Sequence, residues 1–217
     1  MIAAGVSRDG LAIRGAFHPL PSDGVPRSGG ETCGTLVLLG PSAAFWPVFE
    51  GSAEYRDGAP DPLDRWSRRL IGGHARALGG SALFPFGGPP WHPFIAWARR
   101  GGQIWESPVG LLVHETAGLF VSFRGAIALG PRLRLPPAGA SPCPGCAQPC
   151  RTACPVGALT PEGYDIPRCR AYLDTPDGED CLTRGCAARR ACPVGAELRG
   201  HRQSEFHMAA FHTGAPR

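Results

Sequence analysis

Cys143-Pro-Gly-Cys146-Ala-Gln-Pro-Cys150-Arg-Thr-Ala-Cys154-Pro-Val-Gly-Ala158 is the stretch on which the reading of this chain turns. A second version follows it. Arg189-Arg-Ala-Cys192-Pro-Val-Gly-Ala196 matches Arg151 to Ala158 at every position but the second. Cys181 stands as far ahead of Cys192 as Cys143 stands ahead of Cys154, with Cys186 inside the second half and Cys169 between the halves. A duplicated unit that gathers thiols reads as a metal module with two sites.

The spacing suits one chemistry best. A [4Fe-4S] cube needs four thiolates on a closely wrapped backbone, and short Cys spacings supply three of them. In two-cluster ferredoxins the fourth, the Cys before Pro, crosses to the other cube. The proline offers no N–H and fixes φ, so the chain turns away there. On that pattern Cys143, Cys146, Cys150 and Cys192 hold one cube, and Cys154, Cys169, Cys181 and Cys186 hold the other. The second half departs from the standard spacing, with four residues between Cys181 and Cys186 and five between Cys186 and Cys192. Zinc also takes four thiolates, but it gives no reason for a third Cys between paired ones or for Cys-Pro. A disulfide framework calls for an oxidising compartment and usually an even count, whereas this chain has nine cysteines. Cys33, the ninth, reads as a small packed hydrophobe.

The length of 217 residues fits one large domain or two small ones. The 31 glycines and 24 prolines suggest low complexity, but 43% hydrophobic content points to a loop-rich globular protein instead. Every basic residue is arginine or histidine. The formal charge of +4 counts each Cys as neutral, and two anionic clusters would offset it, so the basic pI is no argument for a nucleic-acid partner. Arg151, Arg168, Arg170, Arg184, Arg189 and Arg190 crowd the cysteines. They suit charge compensation, docking of an acidic redox partner, or an ordinary solvated face. No signal-peptide pattern opens the chain and no apolar run reaches membrane-spanning length, so a cytoplasmic, reducing setting without a membrane is expected.

Ahead of the cysteines, Leu11 to Phe17 and Gly34 to Gly40 read as strands, with a Pro/Gly/Ser loop from His18 to Gly30 between them. Pro41 to Phe49 suits a short helix. Asp61-Pro62 opens the clearest helix, which Gly79-Gly80 ends, with Leu63, Trp66, Leu70, His74 and Ala77 on one face. Ser81 to Phe86 reads as a further strand, and Ile95 to Arg100 as a short helix. Between them Phe86, Gly87, Gly88, three prolines, Trp91 and His92 make a stiff loop of the kind that walls a pocket or covers a sheet. Gly110 to His114 and Leu119 to Leu129 read as a hairpin about Glu115 to Gly118, with Arg124 placed for an anion or a salt bridge. Pro131 to Pro142 is the expected linker. The tail from His201 to His212 suggests a docking helix, and its histidines do not share one helical face.

The cysteine array, with Cys169-Arg-Ala-Tyr-Leu between its halves, resembles the iron–sulfur region of the epoxyqueuosine reductases. Those enzymes carry two [4Fe-4S] clusters beside a cobalamin. The stretch from Gly110-Leu-Leu-Val-His114 to Arg124-Gly-Ala is similar to their final sheet hairpin, and to that of the cobalamin-processing chaperone and the reductive dehalogenases. Asp61-Pro-Leu-Asp-Arg-Trp-Ser and Phe84-Pro-Phe-Gly-Gly-Pro-Pro also resemble a group of short bacterial ferredoxin-like proteins. Two departures stand out. Arg189 occupies the place of the reductases' middle Cys, and this chain has no C-terminal helical repeats.

The resemblance implies an α+β, nitroreductase-like sheet domain of the cobalamin-processing type over residues 1–136. A two-[4Fe-4S] ferredoxin-like module with a docking tail follows over 137–217. It implies electron relay to a small-molecule cofactor in the first domain, with cobalamin first and flavin or nothing as the other options. Phe86, Gly87, Gly88, His92, His114 and Arg124 would line that pocket. A non-enzymatic electron carrier is the alternative, and tRNA modification a third reading against which the size and charge of the chain argue.

Overall fold

The computed structural model describes residues 2–26, 32–160, 162–198 and 200–213, so the end of the His18 to Gly30 loop lies outside the described residues. In chain order the elements are α1 (Ile2–Arg8), β1 (Leu11–Phe17), β2 (Thr35–Pro41), α2 (Phe45–Glu50), α3 (Ala53–Arg56), α4 (Pro62–Ala77), β3 (Ser81–Leu83) and α5 (Phe94–Arg100). Then come β4 (Ile104–Glu106), β5 (Leu112–His114), β6 (Gly125–Leu129), β7 (Leu159–Thr160), β8 (Gly163–Tyr164), α6 (Ile166–Leu173), α7 (Glu179–Arg184), α8 (Ala187–Ala191) and α9 (His201–Thr213). The architecture is α+β with small antiparallel sheets. Among the described residues no helix is long and apolar enough to cross a membrane.

The chain divides into two compact units, Met1–Ile104 with Ser122–Gly139, and Trp105–Val121 with Ala140–Arg217. The boundary expected after residue 136, within the Pro131 to Pro142 linker, falls between Gly139 and Ala140. The segment from Trp105 to Val121, however, belongs with the cysteines rather than with the first sheet.

The first unit is built on one sheet of order β1-β2-β6-β3. Its centre is β2, where every residue is buried. Leu36, Leu38 and Leu39 are fully enclosed, which requires cover on both faces and explains an unbroken apolar run in place of alternation. Each such leucine contributes roughly 1.5–3 kcal/mol of apolar burial. Thr35 pairs with Leu129 and Leu39 with Gly125 across the β2–β6 ladder. β1 is an edge strand whose register shifts between Ile13 and Gly15, and there Arg14 turns to donate to the Pro41 carbonyl.

Helix α4 forms where expected. Its buried stripe is Leu63, Trp66, Ser67, Ile71 and Ala75, so Ala77, expected on that face, is exposed. Asp61 precedes it with φ of 53° and makes no side-chain cap; Pro62 begins the helix without that help. Trp66 closes an aromatic cluster with Phe45 and Phe49, edge-on at 5.3 and 5.8 Å. His74 sits at the boundary with Nε2 2.7 Å from Asp9.

The expected hairpin of residues 110–129 does not form. β5 pairs with β4, whereas β6 pairs with β2 and β3. What remains is a tight turn in which His114 and Gly118 exchange backbone hydrogen bonds at 3.0 Å. Alternation from Leu119 to Phe123 reflects burial, not pairing. Leu119 lies in the core of the second unit, and the Phe123 ring stands 6.3 Å from Phe94 in the first.

In the second unit β4 and β5, the thiol-bearing loops, the β7–β8 pair and α6 to α9 surround one core. Val109, Val113, Leu119, Leu159 and Ala188 form it together with Cys150 and Cys192. The tail forms α9, which docks on α7 as a covering helix. Ser204 of α9 is buried against Gly185, where an added Cβ would stand 2.9 Å from its side chain.

Candidate metal centre

The two halves of the repeat fold alike. A short helical turn, Pro149–Arg151 in one and α8 in the other, leads to Cys-Pro-Val-Gly. Each then reverses at a glycine with left-handed φ, 60° at Gly157 and 77° at Gly195. Cys143 and Cys146 lie in the loop before the first turn, closed by the Cys146 N–H donating to the Cys143 carbonyl at 3.1 Å. Cys169 sits on α6 and Cys181 on α7, and Cys186 and Cys192 bracket α8.

None of the nine cysteines forms a disulfide. The eight clustered thiols fall into two groups. Burial pushes the Cys143 thiol up, Ser141 draws it down, and Cys192 and Cys146 push it up again. Burial likewise raises Cys150, and so do Cys192, Cys143 and Cys146. In the other group burial raises Cys169, the Tyr164 hydroxyl opposes it, Cys186 and Cys154 reinforce it, and Arg170 lowers it. Cys181 is raised by burial, lowered by the Ala187 N–H, raised by Cys186 and lowered by Arg190. Like-charge effects of this kind act between near neighbours. The grouping is therefore Cys143, Cys146, Cys150 and Cys192 on one side, with Cys154, Cys169, Cys181 and Cys186 on the other.

Backbone amides already point at sulfur. The Gln148 N–H donates to Cys146 Sγ and the Ala158 N–H to Cys154 Sγ, both at 3.3 Å. Thiols that are buried, crowded and met by N–H donors suit a cation-rich group that takes them as thiolates and removes their mutual repulsion. Among the described residues no three His, Cys, Asp or Glu side chains close on a single ion. A cube makes a different demand, since each of its thiolates binds a separate iron and the sulfurs stand wider apart than around one zinc.

The hairpin of β4 and β5 is part of this site. Trp105, Leu111 and Val113 pack with Cys143, Cys150, Cys154, Cys186 and Cys192 in the same core. The turn that follows β5, His114 to Gly118, seats against the Cys192-Pro-Val-Gly reversal, and Gly195 lies so close that an added Cβ would stand 2.4 Å from the Ala117 carbonyl. His114 is buried, and its Nδ1 accepts the backbone N–H groups of Thr116 and Ala117 at 3.0 and 3.1 Å. Two donors on Nδ1 place the ring hydrogen on Nε2.

Of the six arginines that crowd the cysteines, four are engaged within the unit. Arg189 donates to the Leu119 carbonyl at 3.1 Å and Arg190 to the Gly185 carbonyl at 2.9 Å. Arg184 and Arg190 share Asp180, and Arg170 donates to the Phe211 carbonyl at 3.0 Å. Arg151 and Arg168 are exposed.

Of the six residues expected to line a cofactor pocket, Phe86, Gly87 and Arg124 come together about Arg68 in the first unit. Phe86 lies between Arg68 and Arg124, whose guanidinium carbons stand 4.9 and 5.0 Å from its ring centre. Gly87 lies against the Arg68 guanidinium and Gly88 against the Trp91 ring. Arg124 is committed to Asp64 and to Ser67 Oγ, the latter at 3.0 Å, and burial pushes its guanidinium pKa down while Asp64 holds it up. His92 stacks on Trp97 at 5.4 Å. His114 belongs to the second unit. An open groove of the first unit is lined by none of the six. Sequence reasoning also missed Gly118, Ser141 and Tyr164. Of these only Gly118, in a Thr-Ala-Gly turn, carried a local signal.

Comparison with protein-family models, with curated proteins and with solved structures finds no match.

Proposed function

We propose that this chain is an iron–sulfur redox protein with two [4Fe-4S] clusters. One would be held by Cys143, Cys146, Cys150 and Cys192, the other by Cys154, Cys169, Cys181 and Cys186. The observation that carries the reading is the pair of matching Cys-Pro-Val-Gly reversals around which the thiols cluster, with backbone N–H donors at Cys146 and Cys154, in the manner of two-cluster ferredoxins. When bound, such clusters supply one-electron transfer. The chain's own residues then set their conditions. Val113, Leu119 and Ala188 exclude water, the N–H groups of Gln148 and Ala158 stabilise negative sulfur, and Arg170 and Arg190 add positive charge beside the second group.

The resemblance to cobalamin-dependent reductases extends the proposal to an electron acceptor held by a nitroreductase-like first unit, with cobalamin the foremost candidate. A second reading, the non-enzymatic electron carrier, is favoured by the internal engagement of Arg124 and His92, which leaves neither committed to a ligand. Anaerobic purification with iron and sulfide analysis, then electron paramagnetic resonance of the reduced protein mixed with cob(II)alamin, tests both. Two interacting cube signals with a changed cobalt signal support the reductase reading. Cube signals with free cobalamin unchanged support the carrier. Protein that binds zinc and yields no cube signal removes the proposal.

A further inference from the structure

A groove of about 800 Å³ opens on the first unit. That is within the range of small-molecule sites and far larger than one inorganic anion needs. One wall is β1, through Ile13 and Phe17, with Val37 of β2 beside it. Gly101-Gly102-Gln103 also line the groove, with Gly101 packed on Gly15 of β1 and Gly102 against Ala138.

A strap of residues 132–138 completes it. The strap is tied at both ends. The Leu133 N–H donates to Thr35 Oγ1 and His18 Nε2 donates to the Leu133 carbonyl, each at 2.9 Å, and the Gly139 N–H donates to the Gly102 carbonyl at 2.9 Å. Burial alternates along it, with Leu133 and Leu135 half-buried and Arg132 and Arg134 exposed.

The strap brings two arginines to the groove. Arg65, Arg69, Arg100 and Arg124 of this unit each hold a carboxylate. Arg100, also in the groove, is fixed on both oxygens of Asp23 at 2.7 and 2.8 Å. Arg132 and Arg134 hold none among the described residues. Two guanidiniums one residue apart at the mouth of a mixed groove match a dianion, since guanidinium forks suit phosphate oxygens.

We propose that this groove binds a phosphate ester with a largely apolar body, its phosphate on Arg132 and Arg134 and its body against Ile13, Phe17 and Val37. The site lies wholly within the first unit, so it stands whether or not the thiols hold clusters.

The test is titration calorimetry of the full chain with AMP and with 1-naphthyl phosphate, using adenosine and 1-naphthol as phosphate-free controls. At least one ester is expected to bind at micromolar concentration and at least tenfold more tightly than its control. The double variant Arg132→Ala, Arg134→Ala should weaken it tenfold or more. Ala138→Trp, which fills the groove from an exposed position, should abolish it without changing the unfolding midpoint or the iron content. AMP binding alone identifies a nucleotide site, and naphthyl phosphate binding as well identifies a general aryl phosphate site; either supports the proposal. No binding of either ester at millimolar concentration overturns it. So does equal binding of the phosphate-free controls, or binding that survives both sets of substitutions.

Discussion

Gly118 stands against Cys192 so closely that a Cβ on the glycine would lie 2.9 Å from the cysteine sulfur. It would also lie 2.3 Å from the Val194 carbonyl oxygen, and Gly118 has a left-handed φ of 54°. The turn that follows β5 is thus fitted to the backbone that carries a proposed cluster ligand. Gly118→Ala is expected to cost at least about 2 kcal/mol from overpacking and backbone strain. Retained iron should fall toward the content of one cube. Iron analysis of purified variant beside a thermal melt reads both; a variant with full iron and an unchanged melt would show that the turn can yield.

The grouping of thiols makes a sharper prediction. Cys150→Ser should remove one cluster's signal and leave the other, and Cys186→Ser should do the reverse. Cys33 is buried in the first unit, its thiol raised by burial and donating to the Thr35 carbonyl at 3.2 Å. Cys33→Ser should therefore leave iron and both signals intact. Equal loss of both signals from either cluster variant would contradict the division into two fours.

Why some of this could be read beforehand is a matter of range. The strands Leu11–Phe17 and Thr35–Pro41 and the helix Pro62–Ala77 follow from local apolar runs bounded by glycine and proline. The expected thiol grouping rests on a repeat whose spacing suggests which sulfurs a wrapped backbone would bring together. β6 could not be placed in the same way, because its partner Thr35–Pro41 lies far back in the chain. Alternation from Leu119 to Phe123 reports which side chains are buried and carries no information about the partner strand. The same limit applies to His114, which ends a strand as expected, but that strand pairs with β4 and the ring is held by its own turn. Tyr164 was missed because its neighbour Phe211 comes from the distant α9.

Glu54 makes stability depend on acid. It is buried, and its carboxyl is held below the usual carboxylate range first by its hydrogen bonds to Arg69, against the opposing effect of burial, and by the charges of Arg69 and Arg65. Arg69 NH2 donates to Glu54 Oε2 at 2.9 Å, and its side chain is half exposed. A carboxylate with a depressed folded pKa contributes stability that is complete above its unfolded value and is lost as pH falls through the folded one. Glu54→Gln should cost about 1–2 kcal/mol at pH 7, and the deficit should shrink below about pH 4. Urea unfolding followed by tryptophan emission at the two pH values checks this; a deficit that does not depend on pH would assign the cost to packing.

Arg124 is expected to matter for stability in place of binding. Its guanidinium bridges Asp64, Ser67 and the Phe86 face. Arg124→Ala leaves the Asp64 carboxylate without its partner, at a cost of about 2–3 kcal/mol given the partial exposure of the pair. Arg124→Lys keeps the charge but cannot reach both Asp64 and Ser67, and should recover only part of the loss. Unfolding midpoints measure the series, and affinity for the phosphate esters at the Arg132 and Arg134 groove should be the same in all three proteins.

Tyr164 sets the two thiol groups apart. It pairs with Leu159 across β7 and β8, stacks on Phe211 at 6.1 Å, and its hydroxyl lies beside the Cys169 thiol and draws its pKa down. Burial pushes its phenol pKa up strongly, and Cys169 and Cys186 add to that, so it remains a neutral donor at neutral pH. A hydrogen bond to sulfur stabilises the more negative, reduced state of a cluster and raises its potential. Arg170 and Arg190 act in the same direction on this group, whereas Ser141 is the one side-chain donor at Cys143. The Cys154, Cys169, Cys181 and Cys186 cluster should therefore be the easier of the two to reduce. Tyr164→Phe should lower its potential on the order of tens of millivolts and leave the other cluster unchanged. Redox titration monitored by electron paramagnetic resonance separates the two potentials. An unchanged pair of potentials would remove the hydroxyl from any part in tuning, and a shift confined to the Cys150 cluster would reverse the assignment of the two groups.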